Sequence, residues 1–162
     1  MKNSELVSAD APVGSERQPA GQAGGSFPRS ARLLRHSDFE RVYKQGRRHF
    51  SSHMTVFYLR QASRAAPEQA LPEHALPGQA VPEQGARVGF TVGKVLGGAV
   101  VRNRIKRRMR EAVRQRRSVL QGAGAVDVVI NPKKSVLTLE FSLVLDEVGR
   151  ALDTIAKKLV TK

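Results

Sequence analysis

The chain has 162 residues, no cysteine and a formal net charge of +14, from 28 lysines and arginines against 14 acids. Without thiols there are neither disulfides nor thiolate metal sites, which fits a reducing cytoplasm. No run approaches the ~20 apolar residues of a membrane span, and the start offers no apolar signal-peptide core. So positive a chain has nucleic acid as its first candidate partner and an anionic membrane surface as its second.

Residues 1–28 are rich in Ser, Ala, Gly and Gln and poor in aromatics, so they cannot offset the entropy of ordering and are expected to form a disordered tail. From Arg32 the texture changes to RLLRHSDFERVYKQGRR. Ser37 suits an N-cap, Asp38 and Glu40 fall in the first turn where the helix dipole favours acids, and Gly46 is a stop, so a short helix over 38–45 is expected. Phe39, Val42 and Tyr43 share one side of it. Two aromatics there are either core or a stacking platform for unpaired bases, and Arg41, Lys44, Arg47 and Arg48 supply the charge the second reading needs.

HFSSHMTVFYLRQ alternates, and predicts a strand over 49–60 with a break near Ser51-Ser52; Met54, Val56 and Tyr58 face one side, Thr55, Phe57 and Leu59 the other. His49 and His53 have metal spacing only on a helix and lack a third ligand. Residues 66–85 are a degenerate five-residue repeat, APEQA, LPEHA, LPGQA, VPEQG, whose prolines forbid helix and sheet alike; a flexible loop insertion is expected there. ARVGFTV, 86–92, is a second strand, with Val88, Phe90 and Val92 on one face and Arg87, Gly89 and Thr91 on the other. The glycines after it do not match a phosphate loop or a dinucleotide turn; they let the chain turn into the next helix.

That helix is the densest feature of the sequence. In KVLGGAVVRNRIKRRMREAVRQRR, 94–117, nine basic residues from Arg102 onward face a single acid, Glu111. At 100° per residue Val101, Ile105, Met109 and Ala112 form an apolar stripe with Val113 at its margin, while Asn103, Arg107, Arg110 and Arg114 lie opposite. The stripe is too small for membrane insertion, which wants Trp, Phe or Leu. A merely solvated helix mixes signs through i,i+4 pairs, and arginines crowded without acids call for a polyanion whose phosphates their planar forks grip. AVDVVINP, 125–132, then reads as a buried central strand, and LEFSLVLDEVGRALDTIAKKLV as a core-covering helix over 140–159.

RVGFTVGK followed by AVVRNRIKRRMRE, with the first helix upstream, resembles the bacterial ribonuclease P protein subunit family over roughly residues 32–159 apart from the insertion. The resemblance implies a single small α+β domain, 29–162, in the order helix, strands, basic helix, strand, helix, a sandwich of ribosomal-protein type interrupted by the 62–85 insertion. It implies the protein subunit of an endoribonuclease that removes the 5′ leader of precursor tRNA. Catalysis would lie with the RNA subunit, magnesium would be required by the ribonucleoprotein, and no catalytic residue, metal or cofactor would belong to this chain. The partners implied are the catalytic RNA, at one protein per RNA, and precursor tRNA, with no membrane, in the cytoplasm.

Carried onto this sequence, the family's RNA-contacting set is Lys94, Arg102, Asn103, Arg104, Lys106, Arg107, Arg108, Arg110 and Arg114. Its leader cleft is Phe39, Tyr43, Phe57 and Thr91, with Arg41, Lys44 and Arg87 nearby. Val95 and Gly98 stand where the family commonly has basic or amide residues, so a weaker phosphate grip is expected at that turn. The alternative is a small basic rRNA-binding protein with no enzymatic role, which would bury Phe39, Tyr43 and Phe57 completely; leader binding requires at least one ring to stay partly exposed beside arginines. A major-groove DNA binder would need dimer symmetry or a turn-linked partner helix, and neither is visible.

Overall fold

The structure, a computed structural model, describes residues 27–61 and 85–161. The expectations for the tail up to residue 26 and for the repeat up to residue 84 lie outside the described residues. Helix α1 spans His36–Gln45, β1 Arg47–Phe50, β2 Met54–Arg60, β3 Arg87–Phe90, α2 Ala99–Arg116, β4 Val126–Pro132 and α3 Phe141–Val160.

The strand expected over 49–60 with a break near Ser51-Ser52 is two strands, the first starting at Arg47. The break at Ser51-Ser52 is a hairpin turn, and β1 runs antiparallel to β2 with Arg48 opposite Phe57 and Phe50 opposite Thr55. The sheet order is β1-β2-β4-β3; β2 and β4 are antiparallel, β3 and β4 parallel. A parallel pair cannot be closed by a tight turn and needs a crossover, and α2 lies in that crossover. This explains its one-sided pattern: Ile105, Met109, Ala112 and Val113 are buried against sheet and α3, and the remaining faces are open.

Strand alternation gives the sheet two apolar faces. Met54, Val56, Tyr58, Val88, Val128 and Ile130 join the buried sides of α2 and α3 in the main core. On the opposite face Leu33, Val42 and Val129, with Phe39, Phe57 and Leu59 against them, form a small second core under α1. The domain is therefore a sheet between two helices and one. Its boundary lies slightly upstream of the expected one. Phe27, assigned to the tail from composition, is 5% exposed within the main core, its carbonyl accepting a 2.6 Å hydrogen bond from Arg32.

Helix α1 starts at His36, with Arg35 in the N-cap position and no side-chain cap. Ser37, expected to cap it, is exposed, and Asp38 is directed into an ion cluster. Asp127 of β4 is fully buried and receives Arg87 Nε and Nη2 at 2.8 Å each, Arg41 Nη2 at 3.1 Å and Gln61 Nε2 at 2.6 Å. Asp38 meets the same two arginines, Arg41 at 3.0 Å and Arg87 at 3.3 Å. Two carboxylates and two guanidiniums thus clamp α1 onto β3 and β4. On the far face Glu147 of α3 accepts from the His53 N–H at 2.7 Å and from the Ser51 hydroxyl, fixing the β1–β2 turn.

Asp127→Ala should destabilise the domain by about 2–3 kcal/mol, below the ~3–5 kcal/mol of a fully buried pair because both arginines reach water. The measurement is urea unfolding, with a lower midpoint at unchanged slope.

Candidate nucleic-acid interface

Two surfaces meet the requirements for a polyanion. The first is the open side of α2. Asn103, Arg104, Arg107 and Arg110 are exposed, and Arg102 and Lys106 are half-exposed. Among the described residues none of Arg102, Arg104, Lys106, Arg107 or Arg110 forms a salt bridge. The chain enters this helix through Lys94–Leu96, a single tight turn, and Gly97, whose φ of 136° lies in a region that favours glycine. Lys94 is exposed on that turn, with Val95 and Val100 beside it at 97% and 83% exposure.

Three other arginines of the run are engaged within the protein. Arg108 donates from Nη1 and Nη2 to the Leu137 and Leu139 carbonyls, pinning the segment after β4 to α2. Arg114 binds both oxygens of Glu111, at 2.6 and 3.0 Å. Arg114 and then Gln115 hold the Glu111 carboxyl down at about 2, and Glu111 in turn raises the Arg114 guanidinium, so this pair carries no net charge at neutral pH. Arg116 reaches Asp146 of α3 at 3.5 Å. The expected RNA-contacting set therefore divides: Arg108 braces the fold, Arg114 is neutralised, and the others stand free.

The second surface is the cleft between α1 and the sheet. Tyr43 and Phe57 meet edge-on, centroids 4.8 Å apart at 74°. The Tyr43 hydroxyl lies 2.9 Å from Asn131 Oδ1 and 2.8 Å from Thr91 Oγ1. With one proton to give, it donates to Asn131 and accepts from Thr91, so the ring is held upright across the cleft. Phe39 lies over Gly89, where a Cβ would come within 2.5 Å of its Cζ; only glycine lets the ring sit so low. None of the three rings is fully buried: Tyr43 is 36% exposed, and Phe39 and Phe57 are half-buried.

Of the cations expected at the cleft, Lys44 is exposed. Arg41 and Arg87 sit in the ion cluster, and Asp127 above all raises the Arg87 guanidinium. Their charge is balanced by Asp38 and Asp127, both absent from the sequence-derived site. The signal for Asp127 was present as an acid inside an otherwise apolar strand. Asn131 is likewise absent from the sequence-derived site. His49 and His53 have no partners for a metal: among the described residues no group of three or more metal-ligating side chains assembles. Nor is any described helix long and apolar enough to cross a membrane.

A row of cations on the crossover helix with no carboxylate partner among the described residues, together with a half-open aromatic cleft on the other face of the sheet, defines a nucleic-acid-binding α+β domain. Residues 27–156 match the protein family described as Ribonuclease P. The ribonuclease P protein component of Dictyoglomus thermophilum is 31% identical over 121 residues, covering 75% of this chain and 84% of that protein. That of a Geobacter species is 33% identical over 134 residues, covering 82% and 95%. The fold is that of the Thermotoga maritima ribonuclease P protein, TM-score 0.56 at 21% identity over 76% of this chain and 96% of that one. The Staphylococcus aureus protein gives 0.55 at 23% identity over 78% and 95%. The chain belongs to the ribonuclease P protein component family.

Proposed function

We propose that the free cations of α2 grip the catalytic RNA of ribonuclease P while the cleft holds the single-stranded 5′ leader of precursor tRNA. The ribonucleoprotein hydrolyses one phosphodiester bond and releases the mature tRNA 5′ end. Catalysis belongs to the RNA, magnesium is held mainly there, and one protein serves one RNA in the cytoplasm. The protein's share is electrostatic and geometric. Arg102, Arg104, Lys106, Arg107 and Arg110 neutralise phosphates as two polyanions approach, and the cleft fixes the leader relative to the scissile bond.

The observation that carries this reading is the state of the cleft. Phe39, Tyr43 and Phe57 stay accessible, whereas an rRNA-binding domain of purely structural role would bury them. Arg41 and Arg87 act differently from plain phosphate ligands. Their charges hold α1 in place, and their exposed edges offer N–H donors to a nucleotide without adding net charge.

Replacing Arg107 and Arg110 together should weaken binding to the catalytic RNA and flatten the plot of log affinity against log salt, by roughly 0.7–0.9 per lost phosphate contact; filter binding across a salt series measures it. Phe39→Ala should raise KM for substrate with a full leader by about ten-fold, within the ~1–3 kcal/mol of a base–aromatic stack. Steady-state kinetics on a substrate with a minimal leader should show little change, while an equal loss on both would mean a folding defect.

A further inference from the structure

Phe50 ends the edge strand β1 with 67% of its surface exposed, outside both apolar cores. It is not isolated. The Arg48 guanidinium lies 5.5 Å from the Phe50 ring centroid and 5.0 Å from that of Phe57, within the ~6 Å reach of a cation–π contact. Phe57 in turn meets Tyr43 edge-on. Tyr43, Phe57, Arg48 and Phe50 therefore form one unbroken series from the floor of the cleft to the rim of the sheet. Alternation along a strand puts residues 48 and 50 on the same face, and pairing of Arg48 with Phe57 makes it the cleft face.

We propose that Phe50, positioned by Arg48, is an outer stacking subsite for one unpaired base of a single-stranded RNA leaving the cleft across β1. The proposal rests on the leader-binding reading above and extends its path. Arg48 covers one side of the Phe50 ring and leaves the other to water, the arrangement that a base completes: aromatic face, adjacent guanidinium, no hydrogen-bond code. Among the described residues Arg48 has no carboxylate partner, so its N–H groups remain available to a neighbouring phosphate. The step from the Phe57 row to Phe50 is two residues of strand, about 7 Å. That is roughly twice the ~3.4 Å rise per nucleotide of a stacked strand, a distance suited to one splayed nucleotide. A protein partner fits less well, because the residue against the Phe50 ring on this face is the exposed Arg48 rather than further apolar surface.

The test uses the full-length protein assembled with its catalytic RNA and precursor tRNAs whose leaders grow one nucleotide at a time. Phe50→Ala should leave KM unchanged for short leaders and raise it about five- to ten-fold once the leader reaches the rim, the lower part of the range for one base–aromatic stack. Phe50→Tyr, which keeps the ring, should behave as the parent. An abasic nucleotide at the critical leader position should give the same loss, and no further loss in Phe50→Ala. Phe50 lies outside the cores, so the thermal transition should not move. A loss equal at every length, or none at any length, overturns the subsite. So does a change in self-association at unchanged KM, which would make the ring a contact between copies. Phe39→Ala run alongside separates the two claims. If it stays leader-dependent while Phe50→Ala does not, only the outer subsite falls; if neither is leader-dependent, the cleft reading falls with it.

Discussion

A carboxylate removed entirely from water must be met by charge, and Asp127 is met by two arginines from different elements. Arg87 comes from the neighbouring strand β3 and Arg41 from α1, and Asp38 completes the cluster from the first turn of α1. Because the second apolar core under α1 is small, packing alone would hold this helix weakly against the sheet. The ion cluster supplies directionality that packing lacks, fixing both the height and the rotation of α1. The separation of Phe39 and Tyr43 from Phe57 follows, and with it the shape of the cleft. Deprived of Asp127, the two arginines would keep only Asp38, and α1 would lose its direct ionic tie to β4.

The same composition does two kinds of work. Arginines that meet carbonyls or acids of another element, among them Arg41, Arg87 and Arg108, hold elements together. Among the described residues the arginines on the open side of α2 meet no carboxylate, and their mutual repulsion is relieved by an external polyanion. Net charge alone does not separate the groups. Position does: the internal set lies where helices or segments pack, and the external set points away from the crossover that buries Ile105 and Met109.

Most of the architecture was legible in the sequence because its periodicities are strong. The apolar stripe of α2 emerged with Ile105, Met109, Ala112 and Val113 buried, and β4 is the central strand its apolar run implied. The break at Ser51-Ser52 was legible, but not that the chain reverses there, because β1 and β2 share one alternating pattern. Phe27 was misplaced because composition averages over a window, and a single aromatic anchor at the edge of a tail leaves no mark on that average. The pairing of Arg41 and Arg87 with buried acids could not be read at all. Asp38 and Asp127 are 89 positions apart in the chain and come together only once the strands are ordered. Sequence therefore disclosed the cationic helix more fully than the cleft, whose residues come from α1, β2, β3 and β4.

The central claim is that this chain promotes a cleavage performed by RNA. The most direct measurement is cleavage of a leader-bearing precursor tRNA by the matching catalytic RNA at low magnesium, with and without the protein. The account predicts that RNA alone is nearly inactive there and that the protein restores cleavage at the mature 5′ end, its cations replacing part of the magnesium needed to screen phosphates. Binding of the catalytic RNA with no change in cleavage would contradict it and leave a structural RNA-binding role.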